Sequence, residues 1–250
     1  MKKWWWIAGL AVILSLAAWF WLNRSDPLVM GTHAHFPPFE LIEPGARGDV
    51  IVGFDVDLAR AIADKAGRPL RIVDMPFDEL IPALEAGTVD LVLVAMTITA
   101  DRAERVDFSR PYYKATQVVL IREGEEPPAT LDELNSRQIA AQAGTTSEAI
   151  AQEWAGLGNV RSTTSAKAAI VDLLNSQADA VLMDEQPATA FRKIFPEAQI
   201  VRLPFPDEFY GVAVRKGNAR LLNLVNATLE EVRADGRYDW FIDRWLLQAD

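Results

Sequence analysis

The sequence predicts an α/β protein: largely parallel sheets covered by helices, in two groups with a cleft between them. Three observations carry that prediction. Apolar runs of strand length alternate along nearly the whole chain with stretches whose apolar residues recur at helical spacing. Many of the helical stretches are bracketed by Asp, Thr or Ser at the start and Gly at the end. The chain has 250 residues, half of them apolar, enough to bury one large core or two modest ones.

The elements follow in order. Met1-Lys2-Lys3 precedes Trp4 to Leu22, nineteen residues without a charge. That length suits a membrane-spanning helix, and Trp4–Trp6, Trp19 and Trp21 sit at its two ends as in interfacial aromatic belts. The alternative is a cleavable secretory signal, but its best cleavage site, Ser15-Leu16-Ala17, lies inside the apolar run. Residues 1–26 are therefore expected to form a cytoplasmic tip and an N-terminal membrane anchor. Lys2 and Lys3 against the single Arg24 put the tip in the cytoplasm and the chain from Pro27 outside the inner membrane. Leu28–His33 is a strand. Asp55–Ala66 is a helix with Asp55 as N-cap and Gly67 as stop, and Leu70–Val73 is a strand. Phe77–Ala86 is a helix closed by Gly87, followed by strands at Asp90–Ala95 and Thr116–Arg122. Strands at 138–142, 160–163, 179–183 and 199–203 then alternate with helices at 147–155, 166–175 and 186–195. A last strand at 210–214 precedes helices at 219–234 and 238–247.

Composition excludes several function classes. Cysteine is absent, so there is no disulfide framework, thiolate nucleophile or Cys-based zinc site. A net charge of −10 with no basic stripe argues against a nucleic-acid partner. His33 and His35 share a face of a strand, but no third ligand accompanies them, so neither a metal nor a cofactor is expected.

Ligands of open α/β sheets bind beyond the carboxyl ends of strands. Four such ends supply a coherent chemistry: Thr32–Phe39, Val94–Thr97 leading to Arg102, Gln142–Ser147, and Met183–Glu185. A positive side chain near a helix N-terminus opposes the macrodipole, and the simplest reason for Arg102 there is that it faces something anionic; its planar fork suits a carboxylate, the alternative being a surface pair with Asp101 or Glu104. Main-chain N–H groups at Thr145 and Thr146 open a helix and form an anion site. Asp184 supplies a negative charge suited to an ammonium. Together these describe a receptor for the zwitterion of a free α-amino acid.

The stretches GFDVDLARAIA (53–63), FDELIPALEAGTVDLVLVAMTITADRAERVDFSRPYY (77–113) and ADAVLMDEQPA (178–188) resemble the extracytoplasmic amino-acid-binding proteins of ABC importers, solute-binding protein family 3. Glutamine- and lysine/arginine/ornithine-binding proteins are familiar members. The resemblance runs from about Leu28 to Leu247. It implies a two-lobed periplasmic-binding-protein-like fold of type II, with two hinge strands and the ligand in the interlobe cleft. Lobe 1 would comprise residues 27–113 and 207–250, and lobe 2 with the hinge strands residues 114–206. Carried over by position, Arg102 would bind the α-carboxylate with Thr97 and Thr146. Asp184 would bind the α-ammonium with the Ala95 carbonyl and the Thr97 hydroxyl. Phe36 and Phe77 would hold the ligand side chain, and Gln142 and Met183 would complete the pocket. His33 departs from the family, which often has Asp there; this weakens the case for a lysine or arginine ligand, which Asp55 still leaves open, and favours a polar uncharged ligand such as glutamine, with an acidic one possible if His33 is protonated. The implied partners are an ABC permease and its ATPase, with the protein acting as a monomer. An exported cyclohexadienyl (arogenate/prephenate) dehydratase on the same fold, with Glu185 as its acid, and an anchored amino-acid sensor are the alternatives.

Overall fold

The computed structural model describes residues 26–46, 48–135 and 137–247. The proposed anchor, Trp4 to Leu22, lies outside them; among the described residues no helix is long and apolar enough to cross a membrane.

In chain order the first part contains β1 (Leu28–Thr32), β2 (His35–Phe36), β3 (Glu40–Glu43), β4 (Val50–Val52), α1 (Phe54–Ala66), β5 (Leu70–Asp74), α2 (Leu80–Ala86), β6 (Leu91–Val92), α3 (Ala100–Arg105) and β7 (Val106–Phe108). After β8 (Tyr113–Ala115) come β9 (Gln117–Arg122), β10 (Ile139–Gln142), α4 (Thr146–Ala155), β11 (Val160–Thr163), α5 (Ala166–Leu174), β12 (Ala180–Asp184), α6 (Glu185–Arg192) and β13 (Ala198–Val201). The chain closes with β14 (Glu208–Tyr210), β15 (Ala213–Arg215), α7 (Ala219–Ala234) and α8 (Arg237–Ile242).

Two five-stranded sheets organise these elements, in the orders β5-β1-β6-β15-β7 and β11-β10-β12-β9-β13. Each is parallel over three strands and antiparallel over the rest: β15 runs against β6 and β7, and β9 runs against β12 and β13. The mixed direction corrects the largely parallel expectation. The chain leaves the first sheet through β8 and returns to it through β14, an antiparallel pair that joins the two halves, while the second sheet is built from the segment between them.

Period-2 alternation gives each sheet two apolar faces. In β1, Leu28 and Met30 pack on one side with Phe54, Leu58 and Ile62 of α1, while Val29 packs on the other with Leu80 and Leu84 of α2. In β9, Val118 and Leu120 face α5, and Val119 and Ile121 face the side holding Ala151 of α4. Local signals set the helix ends. Gly67 and Gly87 take left-handed φ of 63° and 74° at the C-caps of α1 and α2. The side chains of Thr99, Thr145, Ser165 and Asn218 cap α3, α4, α5 and α7.

Several expectations change. Asp55 is not an N-cap: α1 starts at Phe54 with Gly53 before it, and Asp55 is fully buried. The strand expected over 90–95 keeps ladder pairing only at Leu91–Val92, then breaks, with Ala95 in the left-handed region at φ 48°. The strand expected at 210–214 is two short ones, β14 and β15, serving different sheets.

Candidate functional site

Where the two sheets face each other, a small cavity is lined by residues from both. His33, Phe36, Phe77, Val94, Ala95, Thr97 and Arg102 come from the first half, and Gln142, Thr145, Thr146 and Asp184 from the second. Nine of the ten residues singled out from the sequence are in this lining. Met183 is not. It is 3% exposed in the core beside Val181 and Phe191, because neighbouring strand residues point to opposite faces and Asp184 takes the cleft side.

Arg102 sits in the first turn of α3, where Thr99 accepts its main-chain N–H at 3.3 Å. Its guanidinium turns back to donate to the Thr97 carbonyl at 2.8 Å and reaches across the cleft to the Gly144 carbonyl at 3.0 Å. It lies over the Phe77 ring, 5.4 Å from the centroid. Two of its five N–H donors are thus spent on positioning, leaving the rest of the fork for a ligand. Burial lowers its pKa, opposed by the charges of Glu208 and Asp184.

Of the two amides named at the start of α4, that of Thr145 donates to the Gln142 carbonyl at 3.4 Å. Thr146 is the first helical residue, a position whose N–H has no intrahelical acceptor. Gln142 lines the cavity while its side-chain oxygen accepts from the Ala166 amide at 3.2 Å.

Behind the site, Asp55 fixes the backbone of Ala95, which lines the cavity. Its Oδ2 accepts the Ala95 N–H at 2.7 Å and the Tyr112 hydroxyl at 2.8 Å. A left-handed φ costs a non-glycine residue roughly 1–2 kcal/mol, and this buried pair of bonds holds Ala95 there. Glu40 lies beside Asp55, also fully buried, and neither forms an ion pair among the described residues. Burial, then the Asp55 charge, pushes Glu40 well above the usual carboxylate range; burial raises Asp55 to about 7.

His33 is 9% exposed, and its Nδ1 lies 3.1 Å from the Met75 carbonyl. A carbonyl only accepts, so Nδ1 carries the proton and Nε2 presents a lone pair. That Nε2 is buried with no partner. Burial lowers the pKa of His33, which works against the protonated form that an acidic ligand would require. Past His33, Phe77 and Gln142 the cavity opens into a wider groove walled by Asp74, Asp78 and Lys167, among others.

Asp184 ends β12 at 8% exposure, accepting from Gln117 Nε2 at 2.9 Å. Burial, then the neighbouring charge of Glu208, pushes it up to about 8. Glu208 itself went unread in the sequence. Its Oε2 accepts from the hydroxyls of Thr97 at 2.9 Å and Thr146 at 3.0 Å and from Gln117 Nε2 at 3.2 Å. The signal was available in alternation: Tyr210 is a core residue, so Glu208, two positions earlier, shares its face, and Phe209 points out at 45% exposure. Glu185 is not in the cavity lining; it pairs with Arg202 at 2.6 Å, 30% exposed.

Comparison with known proteins agrees with this architecture. Residues 28–248 match the model of the bacterial extracellular solute-binding proteins, family 3. The ABC transporter arginine-binding protein 1 of Escherichia coli (strain K12) is 32% identical over 234 residues, 92% of this chain and 94% of that protein. An ABC transporter glutamine-binding protein of Bacillus subtilis (strain 168) is 31% identical over 228 residues, 90% of this chain and 83% of that one. The structure of an ancestral arginine-binding protein bound to glutamine superposes with a TM-score of 0.82 at 39% identity, covering 89% of this chain and 99% of that chain.

Proposed function

The chain belongs to the bacterial extracellular solute-binding proteins of family 3, and from that premise we propose that it captures a free L-α-amino acid outside the inner membrane and delivers it to the permease and ATPase of an ABC importer. The observation that carries this reading is the convergence of Arg102 from one lobe and Asp184 from the other on a single cavity. An opposed cation and anion match the carboxylate and ammonium of a zwitterion. The ligand bridges the two lobes, so it binds their closed arrangement better than the open one, which is the condition for a ligand to drive closure.

The α-carboxylate lies on Arg102 and the Thr146 amide. The ammonium lies against Asp184, the Ala95 carbonyl and Thr97. Phe36 and Phe77 flank the side chain. The Nε2 lone pair of His33 calls for a side chain that ends in an N–H donor, which glutamine supplies through its amide. Asp74 and Asp78 in the outer groove favour a second candidate, arginine, whose guanidinium is both donor and cation. Lobe 1 is proposed to comprise residues 27–113 and 207–250, lobe 2 residues 114–206, and Trp4 to Leu22 to hold a monomeric receptor at the membrane.

Isothermal titration of residues 27–250, stripped of bound ligand, with glutamine, arginine, histidine and glutamate tests the reading. Tight binding of glutamine or arginine with no response to glutamate is expected. Preferential binding of glutamate would remove the role assigned to His33, and silence from all four would remove the receptor.

A further inference from the structure

The hydrogen bonds around Glu208 carry a consequence for how the cleft distinguishes the two charged ends of an amino acid. Glu208 stands on β14, one of the two strands joining the lobes, and is 9% exposed. Its Oε2 receives three donors: Thr97 of the first lobe, Thr146 of the second, and Gln117 of β9. The Gln117 amide is oriented by Ser147, whose hydroxyl donates to its Oε1 at 2.9 Å, so its Nε2 donates to Asp184 and Glu208 together. A carboxylate oxygen only accepts. Both threonine hydroxyls therefore spend their single proton on Glu208. They lie 3.5 Å apart and line the cavity with lone pairs alone.

We infer that Glu208 is a positioning residue that sets the polarity of the Thr97 and Thr146 hydroxyls, turning both into acceptors and making them, with Asp184, a cage for the ligand's ammonium. The inference rests on the receptor reading and deepens it. A hydroxyl free to rotate suits a carboxylate or an ammonium equally, whereas two hydroxyls locked as acceptors favour the ammonium. The carboxylate is then left to Arg102 and main-chain N–H groups. Because Glu208 holds Thr97 and Thr146 at once, the cage is assembled only when the lobes meet.

The test compares affinities for L-arginine, L-glutamine and L-histidine with those for their des-amino analogues, 5-guanidinopentanoic acid, glutaramic acid and 3-(imidazolyl)propionic acid. In Glu208→Gln the carboxamide accepts from one hydroxyl and donates to the other, whose proton then turns into the cavity. Preference for the amino acid over its analogue should fall by about tenfold or more, through weaker binding of the amino acid. A merely structural role would weaken both members of a pair alike. A double-mutant cycle with Thr146→Val separates action through the hydroxyls from a direct charge effect. Coupled losses support the inference, and independent, additive losses overturn it. If Glu208→Gln does not fold, Thr146→Val alone is expected to lower the same preference. An unchanged preference in these variants overturns the inference and leaves the receptor standing. A wild-type protein that binds none of the three amino acids overturns both.

Discussion

The proposed recognition rests on single side chains. Arg102→Ala removes the guanidinium fork while leaving the sheets untouched, and ligand affinity should fall by about 3 kcal/mol or more, roughly a hundredfold, at unchanged circular dichroism. Undiminished affinity would reassign the carboxylate. The Asp55–Glu40 pair has a different signature. Asp55 is raised to about 7 from an ordinary 3.8, so across that range the native state keeps a proton that the unfolded chain releases. Its contribution to stability is present at acid pH and lost as pH rises towards 7. The melting temperature of the wild type should therefore decline from pH 5 to pH 8 more steeply than that of Asp55→Asn, which keeps an acceptor for the Ala95 N–H; parallel profiles would contradict the buried titration. Arg102 and Asp184 were legible in sequence because charge beside an apolar strand end is anomalous. Glu208 and Asp55 were not, since each acts on residues far along the chain: Thr97 and Thr146 for the first, Ala95 and Tyr112 for the second.

At the scale of elements, several strands and helices followed directly from pattern, while the 90–95 and 210–214 strands and the Asp55 cap did not. Val160–Thr163 and Ala219–Ala234 have the bounds that periodicity and flanking residues assign. The β2–β3–β4 sheet escaped because its strands are two to four residues long and partly exposed, too short for alternation to register. That small sheet matters to the site, since it carries Phe36 and Glu40. It is tied to α1 through Gly53, whose φ is 138° and whose Cβ, were there one, would lie 2.1 Å from the Phe39 carbonyl oxygen. Gly53→Ala should therefore destabilise the protein by about 3 kcal/mol, read from denaturant unfolding, through strained backbone and a main-chain clash. A loss below about 0.5 kcal/mol would show that the contact relaxes freely.

For the whole molecule, the proposed receptor reading ties closure to charge. Shutting the cleft without a ligand buries Asp184 beside Glu208 with no ammonium between them. Burial and the Glu208 charge raise Asp184 from 3.8 to about 8, a penalty on keeping it ionised in that setting. The penalty shrinks as the solution supplies the missing proton, so the ligand-free protein should be more compact at pH 5 than at pH 8 by small-angle X-ray scattering. Asp184→Asn should be compact at both; a wild-type radius of gyration indifferent to pH would exclude this control. The strand order of the first sheet has a consequence of another kind. There β15 separates β6 from β7, with Ala213 paired to Val92 and to Phe108, so that sheet cannot be completed until nearly the whole polypeptide exists. The second sheet needs only the continuous segment from Gln117 to Val201. A chain emerging N-terminus first thus has a fully specified second half while its first half still waits for a partner strand, and the lobe begun last is the one able to fold first.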